Sequence, residues 1–252
     1  MLHRTEAIVL KTTPFSEADL IVTFLTSDFG LLKTFAKSPR KTKSRFGSSL
    51  EPLTYSRISF WGREDTNLPR LTQSDIIKSF QSIRDRLKCF LGVAEMIELT
   101  LSLLPEREAN RGIFNLLIYI LNRIEKECSG IETTKKSQDP HGHYVILYKI
   151  RFLDMAGYGP RLDGCARCRR SGYNFYISHG SIICEACARD LDAPMKLSPG
   201  VIKLYGILRG WDISKIDRIK PSRTLLSELS SILDNHIRYT TAKPLRTTAF
   251  RS

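Results

Sequence analysis

The 252-residue sequence lacks most of the signatures that announce chemistry. It has no Gly-Lys dipeptide, and so no phosphate-cradling loop of the Walker type. HExxH is absent, as is any His-x-Glu, and Gly164 and Ile183 stand where a zinc deaminase places proline before its cysteines. The carboxylates show no grouping that marks a nuclease metal site, so the expectation is that the protein is not an enzyme. Long apolar runs are also missing: the most apolar window, from Ile113, reaches only about ten residues before its first charge, too short to span a bilayer. The opening "MLHRTEAIVLKTTPF" carries charges throughout and lacks the apolar stretch of a signal peptide. No internal repeat or low-complexity tract is visible. A cytoplasmic protein with no membrane partner is expected, in a compartment where thiols stay reduced or bind metal.

One further absence is local. Between Asp28 and Glu51 there is no acidic residue, while the interval holds Lys33, Lys37, Arg40, Lys41, Lys43 and Arg45. The whole chain has 39 Lys and Arg against 26 Asp and Glu, a formal charge of +13 that favours polyanionic partners. A strand leading into so basic a loop would lay cations along a phosphate backbone. Phe35 and Phe46 lie in the same stretch and are candidates for stacking on bases. The competing reading is a solvated loop without a ligand. The C-terminal "NHIRYTTAKPLRTTAFRS" repeats the theme with Arg238, Lys243, Arg246 and Arg251 and no acid.

Apolar residues make up 42% of the chain, enough to bury a core. Within the first 80 residues "EAIVLK", "DLIVTFL", "LLKTFA", "TYSRISFW" and a segment near "LPRLTQSDIIKSF" combine β-branched and aromatic residues with partial alternation. Turn-forming stretches separate them, and five short strands suit a small closed barrel. From Ser82 the apolar period lengthens. Ile83, Leu87, Phe90, Leu91, Ala94, Ile97, Leu101 and Leu104 recur at three and four, predicting one helix stopped by Pro105. Further helices are expected over "GIFNLLIYILNRIEKE", over "YVILYKIRFLDMAG" ending at Gly157, after Ser198 and Pro199 as N-cap and first position, and over "SRTLLSELSSILDNHIRY". The division is residues 1–80 as a β-rich domain and 81–252 as a helical one, an α+β organisation.

Cysteines interrupt the helices at about residues 160–192. Cys165 and Cys168 form one CxxC pair, Cys184 and Cys187 another, with fifteen residues between. This is zinc-ribbon spacing: each tight turn aims two sulfurs at one ion, and the spacer returns the second turn to complete a tetrahedron. "YNFYISHGSIIC" reads as a hairpin turning at His179-Gly180. Four thiolates leave no position for water, so one structural Zn2+ per chain is expected. Disulfides or idle thiols are the alternatives. His179 is a less favoured ligand because it sits at the turn. Arg167, Arg169, Arg170 and Arg189 flank the centre and would offset its negative charge. Cys89 and Cys128 have no partner at metal spacing, and Cys89 reads as a small core residue.

Taken in order, these pieces resemble the bacterial RecO recombination-mediator family. The likeness rests on "EAIVLKTTPFSEADLIVTFLTSDFGLLKTFAKSPRK", on "EPLTYSRISF" and on "CARC…CEAC". Where that family usually shows a glycine soon after the third strand, this chain has Ser38 and Pro39. The resemblance implies an N-terminal OB-fold barrel holding single- and double-stranded DNA, followed by a helical domain with an inserted four-cysteine zinc knuckle. It implies annealing of complementary strands in DNA repair and, with RecR, loading of recombinase onto strands coated by single-stranded-DNA-binding protein, whose acidic C-terminal tail docks on the helical domain. A nucleoid-associated location in the bacterial cytoplasm follows. The alternative function is a zinc-ribbon RNA- or ribosome-associated binding protein.

Overall fold

The structure is a computed structural model and describes residues 1–39, 44–63, 66–130, 142–189 and 191–250. The chain gathers into two compact units, Met1–Phe90 with Leu104–Thr133, and Leu91–Leu103 with Thr134–Ser252.

Strands β1 (Leu2–Pro14), β2 (Leu20–Thr26), β3 (Gly30–Ala36), β4 (Tyr55–Trp61) and β5 (Arg70–Lys78) dominate the first unit. They pair in the order β1-β2-β3-β5-β4, and β4 returns to β1, so the sheet closes on itself as a barrel. All pairings are antiparallel except β3 with β5, which meet at Phe35 and Arg70. The length of β1 is what permits closure. Ala7–Pro14 pair with β2 and Leu2–Ile8 with β4, and a register shift between Val9 and Lys11 bends the strand between its two neighbours. Inward positions alternate along each strand, so Val9, Val22, Phe24, Leu32, Ile58, Phe60 and Leu71 fill the interior.

Gly30 opens β3 in the left-handed region (φ +62), and a Cβ there would sit 2.0 Å from the Glu108 carbonyl oxygen, so both dihedral and space require glycine. The preceding turn is held by Thr26, whose hydroxyl accepts the Phe29 N–H (3.0 Å) and donates to the Gly30 carbonyl (2.9 Å).

The helix expected from Ser82 to Leu104 is two helices, α1 (Gln81–Arg84) and α2 (Leu87–Leu103), broken at Asp85 and Arg86. Phe80 precedes α1 in the left-handed region and offers no side-chain cap. The cap comes from elsewhere: the Glu125 carboxylate accepts the N–H groups of Ser82 (3.1 Å) and Ile83 (3.0 Å). The apolar stripe expected on α2 is out of phase. Leu87 is 71% exposed, and the buried apolar positions are Cys89, Val93, Met96 and Leu99, joined by the polar Glu95 and Thr100. Apolar residues occur on every side of this helix, so their period does not select a face. Helix α3 (Arg111–Cys128) begins where Asn110 accepts the Ile113 N–H at 3.0 Å.

Thiols are expected to stay reduced or bind metal, with Cys89 a small core residue, but Cys89 and Cys128 are joined by a disulfide between α2 and α3, with Cα atoms 6.7 Å apart. A separation of 39 residues carries no sequence signature of such a pair.

In the second unit, α4 (Gly142–Met155), α5 (Pro199–Gly210) and α6 (Arg223–Thr240) pack on one another. Helix α4 ends as expected: Gly157 takes φ +82, and the Tyr158 N–H reaches back to the Leu153 carbonyl at 2.8 Å. Ser198 caps α5 by accepting the Val201 N–H (3.2 Å), with Pro199 at the first turn. Between α4 and α5 stand three short strands, β6 (Asn174–Tyr176), β7 (Ser181–Ile182) and β8 (Met195–Lys196), in the order β7-β6-β8. Among the described residues no helix is long and apolar enough to cross a membrane.

Candidate metal centre and nucleic-acid interface

The four CxxC cysteines converge. Strands β6 and β7 form the expected hairpin, turning through a helical turn at Ile177–His179 and through Gly180 at φ +57. This brings Cys184 and Cys187 back to the turn bearing Cys165 and Cys168. That first turn is shaped by backbone bonds from Cys165 N–H to the Arg170 carbonyl and from Arg169 N–H to the Cys165 carbonyl, both 2.8 Å. The second is closed by Cys187 N–H to the Cys184 carbonyl at 2.9 Å. All four sulfurs lie within 4.8 Å of one another, and those of Cys168 and Cys184 are 3.5 Å apart. Four thiolates at about 2.3 Å from one tetrahedral ion stand about 3.8 Å apart, so the donor set fits a closed four-sulfur site.

Backbone N–H groups, that of Cys184 foremost, lower Cys165 to about 6, while hydrogen bonding with Cys184 and Cys168 pushes Cys187 up to about 12. The surroundings are apolar on one side, with Tyr176, Ile183, Ala188 and Leu191 packed against the sulfurs. On the other, the Arg167 guanidinium donates to the Cys187 carbonyl at 2.5 Å. His179 stands apart from the sulfurs, hydrogen-bonded to the Ser178 hydroxyl at 3.1 Å.

Beside this centre a groove of about 620 Å3 is lined by Arg161, Arg167, His179, His236 and Tyr239. His236 on α6 is 6% exposed and donates from Nε2 to the Tyr158 carbonyl at 2.7 Å. Burial lowers its pKa, so the ring is held neutral.

The basic stripe is only partly within the described residues. Arg40, Lys41 and Lys43 lie outside them. Lys33 and Phe35 point outward from β3, and the Lys33 ammonium is bound by Glu106, because the segment after α2 runs alongside Leu31. Lys37 is exposed one residue beyond β3. Ser38, standing where a glycine was expected, itself adopts the left-handed conformation (φ +56), and Asp19 accepts its N–H at 2.7 Å. Arg45 is exposed with its guanidinium 4.9 Å from the Phe46 ring centre.

Phe46 is not available for stacking on bases, since it is 3% exposed and plugs the barrel interior beside Leu50. Phe35 is half-buried, edge-on to Phe15 with ring centres 5.7 Å apart. Phe15 is 61% exposed and Trp61 62%. Neither these two nor Arg70, which lies between Trp61 and Phe35 across the sheet, stood out in the sequence. An exposed aromatic at a strand end was the available signal.

Comparison with known proteins adds to this arrangement. The family model described as Recombination protein O N terminal matches residues 1–80, and that described as Recombination protein O C terminal matches residues 84–249. The chain belongs to the RecO family. It is 44% identical to the DNA repair protein RecO of Thermodesulfovibrio yellowstonii over 94% of this chain and 92% of that protein. It is 33% identical to a protein of the same name from Dehalococcoides mccartyi (95% and 91% covered) and 32% identical to one from Syntrophus aciditrophicus (97% and 93%). The first RecO-family match spans the five barrel strands, and the second, which begins at the last residue of α1, spans α2 to α6 and the four-cysteine centre.

Proposed function

We propose that the protein is a non-enzymatic DNA-binding factor of recombination and repair, whose barrel (residues 1–80) is an OB-fold that holds DNA and whose helical part (residues 81–252) carries a structural zinc knuckle. The observation that carries this reading is the acid-free interval between Asp28 and Glu51 on a closed five-stranded barrel, in a chain that matches both halves of a recombination-protein family. Lys33, Lys37, Arg40, Lys41, Lys43 and Arg45 are the proposed phosphate contacts. Cations along each strand lower the repulsion between two complementary strands while the bases remain free to pair, which is the physical basis of annealing.

In this reading RecR and single-stranded-DNA-binding protein are the partners, the acidic tail of the latter docking on the helical part. The Cys165, Cys168, Cys184 and Cys187 centre holds one Zn2+ and acts as a staple rather than a reaction site, because four thiolates exclude a water ligand.

The test is annealing of complementary strands coated with single-stranded-DNA-binding protein, with and without RecR, alongside a salt titration of binding. About five phosphates neutralised on a single strand predict a slope of roughly −3 to −4 in log affinity against log salt. Changing Arg40, Lys41 and Lys43 together to Glu is expected to weaken binding to all sequences alike, since phosphate contacts carry no base information. Unchanged affinity in that variant at moderate salt would reduce the stripe to a solvated loop. Preference for RNA of equal length would favour an RNA-associated role instead.

A further inference from the structure

The outer face of the barrel carries an aromatic row that the basic stripe does not explain. Leu2, Trp61, Arg70 and Phe35 face one another across four neighbouring strands, β1, β4, β5 and β3. Residues paired laterally in a sheet project to the same side, and strand spacing sets Trp61 and Phe35 about 10 Å apart with Arg70 between them. Trp61 and Arg70 are exposed, and Phe15 extends the row edge-on from Phe35. The Phe35 N–H also donates to the Pro69 carbonyl at 2.8 Å, which ties the row to the end of the β4–β5 loop.

Scattered exposed apolar residues are ordinary, but aromatic rings aligned beside a cation on a strongly basic chain are not scattered. Lys37 lies two residues beyond Phe35, and Arg63 two beyond Trp61; both are exposed. Glu17 follows Phe15 at two residues and is also exposed, while Glu64 and Asp65 lie outside the described residues. The row therefore offers flat apolar faces with cations at its centre and flanks. Phosphates alone need no such faces, and a duplex keeps its bases stacked inside. Unpaired bases have exposed π-faces that seek aromatic rings.

We infer that Trp61, with Phe35 and Phe15, is a base-stacking ledge that makes this barrel a reader of unpaired strands, Arg70 holding the phosphates between the stacked bases. This rests on the proposed binding of nucleic acid by the barrel and adds which form of nucleic acid the surface selects. The same ledge separates the roles of the two barrel features: the basic stripe supplies attraction to any phosphate chain, and the ledge supplies the preference for strands that are not paired.

The test uses the full chain. The protein has two tryptophans, so Trp211→Phe leaves Trp61 as the sole reporter. An oligothymidylate is expected to quench Trp61 fluorescence, and an abasic strand of equal length to quench it little. In otherwise unaltered protein at fixed salt, Trp61→Ala is expected to weaken oligothymidylate binding roughly 5- to 100-fold. Its affinities for the abasic strand and for blunt duplex should stay within about twofold of the parent, because phosphate contacts persist. Trp61→Phe should restore most of the loss, and Arg70→Ala should weaken all three ligands.

Equal losses on all three ligands in Trp61→Ala would overturn the ledge and leave a phosphate surface. So would unchanged binding without quenching. Failure of the parent to bind any of the three would overturn the underlying nucleic-acid reading as well, which is a separate result. Thermal unfolding checks the fold of each variant. Should Trp61→Ala unfold, Phe15→Ala on the same ligands gives the deciding pattern, since Phe15 lies beyond the end of its strand.

Discussion

The two units solve the problem of order by different means. In the first, a sheet closed on itself pairs its own strands and encloses an apolar interior, and the buried polar groups are uncharged hydroxyls such as that of Thr26. In the second, polar chemistry sits at the centre. Lys149 on α4 is fully buried between the carboxylates of Glu95 and Asp234, and the four cysteines organise three strands of two or three residues each. Strands that short cannot hold themselves in place, because they bury too little apolar surface. A unit held by closure should tolerate loss of any one polar contact, whereas a unit organised around a buried ion pair and a four-cysteine cluster should fail when either is broken.

The largest effect is expected at the cysteines. Cys184→Ser should abolish stoichiometric metal, about one zinc per chain in the parent, and unfold the β6–β8 region, because metal binding and folding are one free energy in such sites. Elemental analysis reads the first and hydrogen exchange the second, with β1–β5 amides expected to keep their protection. Metal-free parent protein with an intact knuckle would break the contrast. Lys149→Met comes next. Removing the cation leaves a buried Glu95 carboxylate and should cost about 3–5 kcal/mol in denaturant unfolding. Gly30→Ala tests the barrel, where the clash with Glu108 and the left-handed φ should together cost about 2–4 kcal/mol.

The smallest effects are in pH. His236 has its pKa lowered by burial, so its contribution in the second unit is full above about 6.5 and is lost as pH falls below that value. Asp28 in the first unit is held down to about 2 by hydroxyls of Ser27 and Thr5 and by Arg111. Its contribution is full above about 4 and is lost only as pH falls toward 2. Hydrogen exchange at stepped pH should therefore show the second unit loosening first, and His236→Gln should flatten that step. Asp28→Asn should cost under about 1 kcal/mol at neutral pH, the pair with Arg111 being partly exposed.

Much of this was legible from local pattern. Alternation and turn residues marked the strands, CxxC spacing marked the four-cysteine centre, and Ser198, Pro199 and Gly157 marked helix ends. The likeness to the RecO family named the order of the parts. Illegible were features made by residues far apart in the chain. The break after Arg84 and the cap supplied by Glu125 depend on where α3 lies. The disulfide of Cys89 with Cys128 depends on how α2 meets α3. Phe46 looked like a ligand contact because nothing local says that the chain after the basic stripe folds back into the barrel.

The sequence by itself determined the change from β to helical structure near residue 80, the four-sulfur donor set and the acid-free run of cations, because period, spacing and charge are properties of neighbours along the chain. Only the tertiary structure decided which face of α2 is buried, that Lys33 of the stripe is paired with Glu106, and that Trp61, Arg70 and Phe35 form one row. Those depend on strand register and on packing between distant segments, where closure of the sheet sets residues 35, 61 and 70 side by side.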